Sequence, residues 1–200
     1  LLNNVIPMLP ESLSNDICSL KPDQDRFTFS VDIELSKNYS VKGYKIYKSV
    51  INSKRRFTYE EVQEIIDYKK GDFKKELVLM DKIAKHFYKK RMKEGSIDFE
   101  SREVKFDYDE DGKITGVKVK ERLDSMRMIE EFMLLANKCV TEFVTELSEK
   151  YKQDLPFVYR VHEEPDVEKL NDLSAFVEQF GYKLHIDDKD SIKTLLESIK

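Results

Sequence analysis

Three aspartates in one short stretch are the first residues that suggest chemistry, because clustered carboxylates bind metal ions. Asp107, Asp109 and Asp111, followed by Gly112, match the opening of the calcium-binding loop of an EF-hand. That loop needs a bidentate glutamate at its twelfth position, where this sequence has Lys118. The flanking segments also favour strands rather than helices. The stretch therefore predicts a tight hairpin turn and no metal site.

The histidines and cysteines do not supply another candidate centre. No two of these residues lie at a short, metal-type spacing: they are His86, His162, His185, Cys18 and Cys139. Neither a zinc site nor a Cys–His catalytic pair is therefore indicated. No glycine-rich phosphate loop or nucleophile elbow is present. We predict reduced thiols and a cytoplasmic protein, because nothing in the sequence indicates a secretory route.

Two basic runs, residues 54–56 and 89–93, could contact phosphates. Each run alone is more often a solvated face than a phosphate track. The formal net charge is −4, whereas a free-standing nucleic-acid binder is usually basic. If RNA is the ligand, the positive field must come from local patches or from other domains. No apolar run approaches the roughly 20 residues of a membrane span, so we expect no membrane partner.

The elements that would position these residues can be read from the hydrophobic pattern. Residues 1–26 carry three prolines and predict a mostly irregular segment. From Phe27 to Leu35 apolar and polar residues alternate, which predicts a strand with one buried face, and 41–51 supply an antiparallel partner. Thr58 and Glu61 match a capping box that opens a helix ending near Tyr68.

The remaining chain continues the mixture of helices and strands. A second helix is predicted from about Phe73 to Met92, followed by a hairpin of 97–106 and 114–119. A long helix should start at a cap formed by Asp124 or Ser125 and reach about Leu147. We predict a short strand at 157–162, a helix over 167–180 and the start of another at 190–200. The fold class predicted is α+β, with a mainly antiparallel sheet packed with helices.

Five segments, in order, resemble the catalytic domain of the ribonuclease II and ribonuclease R family, known as the RNB domain. They are residues 6–20, 56–62, 95–99, 128–137 and 159–166. Ser-Ile-Asp-Phe at 96–99 and Tyr-Arg-Val-His-Glu at 159–163 look closer to ribonuclease R than to ribonuclease II. The chain opens inside an apolar stretch and stops within a helical pattern. We therefore expect residues 1–200 to be the central part of one RNB domain, truncated at both ends.

The resemblance implies a processive, Mg²⁺-dependent hydrolase that acts as a monomer on single-stranded RNA 3′ ends and releases nucleoside 5′-monophosphates. In such a reaction the metal ions activate water and stabilise the attacking and leaving oxygens. In the family, the aspartates that hold the metals precede the segment resembling residues 1–20. A transition-state arginine lies after the part that resembles this chain. We therefore expect no catalytic residue and no metal ligand within residues 1–200, and no nuclease activity from them alone.

Three positions match family residues that grip RNA. Phe99 matches an aromatic that stacks on the terminal bases, and stacking is tolerant of base identity. Glu130 and Tyr59 match positions that distinguish RNA from DNA, which differ in the 2′-hydroxyl. The residues alone suggest other roles: Phe99 as a strand core residue, Glu130 as part of a solvated helix face, and Tyr59 as a first-turn residue whose ring packs.

A function of a different class stays open, namely a non-catalytic RNA-binding or assembly module with the same fold. The aspartates that would discriminate this module from an enzyme are expected outside the chain.

Overall fold

The chain forms two compact units in the computed structural model, which describes residues 6–96, 104–119, 121–161, 163, 165–185 and 189–199. Unit 1 comprises Leu1–His86 and Arg122–Leu155, and unit 2 comprises Phe87–Glu121 and Pro156–Lys200. The described residues combine helices with antiparallel strands, so the predicted α+β class is confirmed. No helix within these ranges has the length and apolar character needed to cross a membrane.

Unit 1 contains a long β-hairpin and helices predicted from the sequence. Its elements are β1 (Asp25–Leu35), β2 (Val41–Asn52), α1 (Tyr59–Tyr68), α2 (Lys74–Lys93, of which the part up to His86 belongs to this unit) and α3 (Asp124–Tyr151). Before β1, the segment Ser12–Ile17 forms a short π-helix, where we had predicted irregular chain.

Unit 2 contains a short hairpin and two helices. Its elements are β3 (Val104–Tyr108), β4 (Ile114–Val119), α4 (Val167–Glu178) and α5 (Lys189–Ile199). Its core includes Val177, Leu184 and Leu195. The strand predicted at 157–162 is wrong over its described part, 157–161, which lies outside any strand. No described strand pairs with this segment, and Val158 is 93% exposed. A strand needs a neighbouring strand to pair its main-chain N–H and C=O groups, and the described residues supply none for this segment.

The aspartate stretch forms the predicted hairpin turn between β3 and β4. The carboxylate of Asp109 accepts hydrogen bonds from the main-chain N–H groups of Asp111 (3.1 Å) and Lys113 (2.8 Å). Lys118 Nζ lies 2.8 Å from the carboxylate of Asp107. The residue at the twelfth position of the calcium-loop pattern therefore places an ammonium group beside the first carboxylate, where a calcium site would need another oxygen ligand.

The alternation in β1 is only partly reflected in burial. Val31, Ile33 and Leu35 are half-buried, but Phe27 is 93% exposed and Phe29 is 75% exposed on the same face. β1 pairs with β2 in antiparallel register and contacts α3. The prediction of a buried apolar face is therefore correct for the second half of the strand and wrong for the first half in this chain.

The capping box at the start of α1 is confirmed. Thr58 N–H donates to the Glu61 carboxylate (2.7 Å), and Glu61 N–H donates to the Thr58 hydroxyl (3.2 Å). The hydrogen bond from the Thr58 main chain is the main cause that lowers the pKa of Glu61, and nearby Arg55 adds to it. These contacts fix the first turn of α1, and with it the main chain of Tyr59.

The core of unit 1 lies between α1, the adjoining part of α2 and the start of α3. It is formed by the buried residues Val62, Ile65, Ile66, Leu77, Ala84 and Met128, with Phe57, Met80 and Phe132 packed against them. Helices α1 and α3 are also in direct contact. Interdigitating apolar side chains hold the helices together, and directional polar contacts add to the definition of their relative position.

The predicted side-chain cap of α3 is wrong, and the reason shows how α3 is anchored. The N-cap is Leu123, which has no capping side chain. The Asp124 carboxylate instead lies 2.8 Å from Lys85 Nζ of α2, and Lys85 also binds Asp81. Burial acts to lower the pKa of Lys85, but the hydrogen bonds with Asp124 and Asp81 outweigh it and raise this pKa.

Ser125 makes the polar contact that fixes α3 against α1. Its hydroxyl donates to the main-chain carbonyl of Tyr59 (2.8 Å), and its N–H donates to the Gln63 side chain (3.1 Å). Ser125 is 1% exposed. A buried hydrogen bond of this kind is directional and costly to remove, so it sets the relative position of the two helix starts.

Ser125→Ala should lower the free energy of unfolding by about 1 kcal/mol, because the Tyr59 carbonyl loses its buried donor. Urea denaturation measures this change. Thr145→Ala is the matched control: its hydroxyl donates to Thr141 within α3 and joins no second element. The control should be unchanged or slightly more stable. Equal effects of both substitutions would contradict the anchoring role of Ser125.

Candidate nucleic-acid interface

Tyr59 is the first residue of α1, and its position follows from the contacts on both sides of it. Thr58 and Glu61 close the first helical turn around it, and Ser125 holds its carbonyl. The residue is 45% exposed. A phenol at an exposed helix start can donate or accept a hydrogen bond with a ligand. The predicted sugar-reading role of Tyr59 stays a prediction.

Glu130 lies in the second turn of α3 and is held by an arginine. Arg122 Nη2 is 2.8 Å from Glu130 Oε2, and the side chains are 37% and 39% exposed. The neighbouring Glu131 is only 4% exposed. The two adjacent glutamates therefore have different environments: the exposure of Glu130 agrees with a solvated helix face, whereas Glu131 is buried.

The hydrogen bonds of Ser125 connect the helices that carry Tyr59 and Glu130, but they do not involve the Glu130 side chain. Glu130 follows Ser125 by five residues, which places it about 7.5 Å further along the helix axis and about 140° around it. Both functional candidates thus lie on rigid helices of unit 1 whose starts are bonded together. Phe99, the third candidate, lies outside the described residues.

No sequence pattern indicates Arg122, because its partner Glu130 is eight residues away. Pairs of opposite charge within a helix are sought at spacings of three or four. Arg122 precedes the helix, and its side chain reaches along the first turns to Glu130. A local sequence rule has no pattern for such a contact between a loop and a helix.

Not all residues of the two basic runs can contribute to a phosphate-binding track. Arg55 is bound by Asp72 and lies 3.5 Å from Glu61, and its guanidinium also stacks over the Phe57 ring at 4.4 Å. On α2, Lys90 lies 3.7 Å from Glu94. These cations are engaged within the protein, as expected for the solvated-face interpretation.

The described residues do not fit a Mg²⁺ site. None of their His, Cys, Asp and Glu side chains form a group of three or more that could hold a metal ion. Asp107 is paired with Lys118, and Asp109 accepts two main-chain hydrogen bonds in its turn.

Comparison with known sequences assigns the chain to a family. The RNB domain model matches residues 1–200. Ribonuclease R of Thermotoga maritima is 38% identical over 209 residues, which cover 100% of this chain and 29% of that protein. The chain therefore spans less than a third of the length of this curated relative.

Solved structures share the fold. RNase R of Mycoplasma genitalium in complex with ribose-methylated single-stranded RNA superposes with a TM-score of 0.80 at 29% identity. That match covers 98% of this chain and 31% of the other. The same enzyme in complex with double-stranded RNA also gives a TM-score of 0.80, with coverages of 96% and 35%.

A more distant structure shows likeness of fold alone. Yeast Ssd1, described as a pseudonuclease, gives a TM-score of 0.65 at 20% identity, covering 96% of this chain and 23% of that one. The family resemblance inferred from five ordered segments is confirmed by the match along the whole chain. With the family model aligned from the first residue to the last and the RNase R fold in the coordinates, this chain belongs to the RNB domain family.

Proposed function

We propose that this chain is the RNA-gripping part of a processive 3′-to-5′ exoribonuclease that hydrolyses RNA to nucleoside 5′-monophosphates. The observation that carries the proposal is the match of residues 1–200 to the RNB domain, together with the RNase R fold. In this proposal the substrate is the 3′ end of single-stranded RNA, and the complete enzyme acts as a monomer in the cytoplasm.

In this proposal, residues of this chain bind the RNA, and residues elsewhere in the polypeptide carry out the hydrolysis. Because the described carboxylates do not fit a metal site, we propose that Mg²⁺ is held by residues outside the described part. The tasks of this chain are to bind the strand and to recognise its sugar. Tyr59 and Glu130 suit the second task, since a phenol and a carboxylate can both accept a hydrogen bond from a 2′-hydroxyl.

The proposed roles also agree with the need for rigidity. A site that distinguishes one hydroxyl group must hold its atoms to within about 0.5 Å, and helices achieve this better than loops. Tyr59 and Glu130 both lie on helices, near helix starts that Ser125 joins.

A second candidate function is a non-catalytic RNA-binding or assembly module. The fold is compatible with it, because yeast Ssd1, described as a pseudonuclease, shares this fold at 20% identity. Activity of the complete protein separates the two functions.

The complete protein should shorten 5′-labelled poly(A) from its 3′ end in the presence of Mg²⁺, whereas residues 1–200 alone should leave it intact. Gel analysis of the labelled strand and chromatography of released nucleotides measure both outcomes. Degradation by residues 1–200 would refute the division of labour. Intact poly(A) with the complete protein, despite RNA binding, would favour the non-catalytic module.

Glu130→Gln in the complete enzyme should lower the ratio of kcat/KM for RNA over DNA of the same sequence by about tenfold, because a charged acceptor is replaced by a neutral one. Tyr59→Phe should lower the ratio too, since only the hydroxyl is lost. Glu142→Gln, at an exposed position further along α3, is the matched control and should leave it unchanged. An unchanged ratio in Glu130→Gln would contradict the sugar-recognition role of Glu130. An unchanged ratio in Tyr59→Phe would mean that the Tyr59 ring only packs against its neighbours.

Phe99→Ala should weaken the grip on short products and lengthen the final product, because base–aromatic stacking contributes about 1–3 kcal/mol per base. Two further variants separate stacking from a core role. Phe99→Tyr keeps a ring and should retain the product length, whereas Phe99→Leu keeps apolar volume and should behave like alanine. High-resolution gels of the end product measure the length, and a normal length in Phe99→Leu would indicate a core residue.

A further inference from the structure

The contact between Arg122 and Glu130 lies at a partly exposed position of unit 1. Arg122 lies just before the N-cap of α3, and its guanidinium reaches Glu130 Oε2 at 2.8 Å. Both side chains are more than a third exposed. Ion pairs at such exposed positions add little to stability because water screens them. The contact is better explained by its effect on the Glu130 carboxylate.

The guanidinium can orient this carboxylate. Arginine carries a planar, rigid set of N–H donors that matches a carboxylate, so a bond to Oε2 restricts the rotation of the glutamate. A carboxylate has about four acceptor positions. A bond from Arg122 is therefore compatible with a further hydrogen bond accepted from a ligand hydroxyl.

The guanidinium also changes the local charge. A glutamate beside a nucleic-acid strand repels the phosphates, since like charges interact unfavourably over several ångströms. Arg122 makes the pair neutral. A carboxylate could then approach the sugar of a polyanion without the full repulsion.

We propose that Arg122 is a positioning residue for RNA recognition, which orients and neutralises Glu130 so that its carboxylate accepts the ribose 2′-hydroxyl. This inference rests on the proposed function and adds a residue to it. Arg122 acts through Glu130 and not by gripping phosphate, so its loss should change the choice between RNA and DNA.

The test measures kcat/KM of the complete enzyme on RNA and on DNA of the same sequence. The variants are Arg122→Gln, Arg122→Lys, Glu130→Gln and the double variant Arg122→Gln/Glu130→Gln. Lys42→Gln is the control, because it breaks an exposed ion pair with Glu34 (3.2 Å) in the β1–β2 hairpin.

We expect Arg122→Gln to lower the RNA-to-DNA ratio by about tenfold, chiefly through RNA, as expected when a charged hydrogen-bond partner is lost. Arg122→Lys keeps the charge without the planar donor set and should fall between wild type and Arg122→Gln. The double variant should match Glu130→Gln within about twofold, because both changes remove one function. The control should keep the wild-type ratio.

Other results would overturn the inference. An equal loss on RNA and DNA, with the ratio unchanged, would mean that Arg122 affects only phosphate binding, by direct contact or through the local charge, or only supports the fold, and does not orient Glu130 towards a 2′-hydroxyl. Additive losses in the double variant would mean that it acts independently of Glu130. If Arg122→Gln does not fold, a wild-type ratio in Arg122→Lys would still refute orientation by the planar guanidinium. A wild-type protein without exoribonuclease activity would refute the proposed function itself, and this inference with it.

Discussion

The hydrogen bond from the Ser125 hydroxyl to the Tyr59 carbonyl is the constraint on which the proposed interface depends. It joins the first residue of α1 to the second residue of α3, and Ser125 is buried at the joint. The apolar core below it holds the helices together, and the hydrogen bond adds a directional contact between their starts. Together, the packed core and this directional bond hold the starts of the two helices that carry the Tyr59 phenol and the Glu130 carboxylate.

Charge compensation explains how a chain with a formal net charge of −4 could approach RNA. Carboxylates near the start of α3 have cationic neighbours: Lys85 lies beside Asp124, and Arg122 beside Glu130. Neighbouring opposite charges cancel over distances beyond a few ångströms, and salt screens what is left. The overall charge is therefore a poor guide to the electrostatic field that an RNA strand would encounter at this surface.

Local rules predicted much of the fold, because the contacts behind them lie within a few residues. The capping box of Thr58 and Glu61 and the turn at Asp109 are of this kind. Predictions that depended on distant partners were wrong: Asp124 and Ser125 bind α2 and α1 instead of capping α3, and residues 157–161 have no partner strand among the described residues. The exposure of Phe27 depends on distant packing in the same way. The family resemblance identified Tyr59, Phe99 and Glu130, whereas Arg122 is identified only by its contact with Glu130 in the folded chain.

The most direct test of the central claim, that the joined starts of α1 and α3 contact the ribose backbone, is hydrogen–deuterium exchange of the complete protein. The protein would be mixed with phosphorothioate RNA, or with DNA of the same sequence, without divalent metal. Slower amide exchange over residues 59–68 and 122–135 with RNA than with DNA is the predicted result. Identical exchange of these residues with both polymers, or protection only in other parts of the protein, would contradict the account.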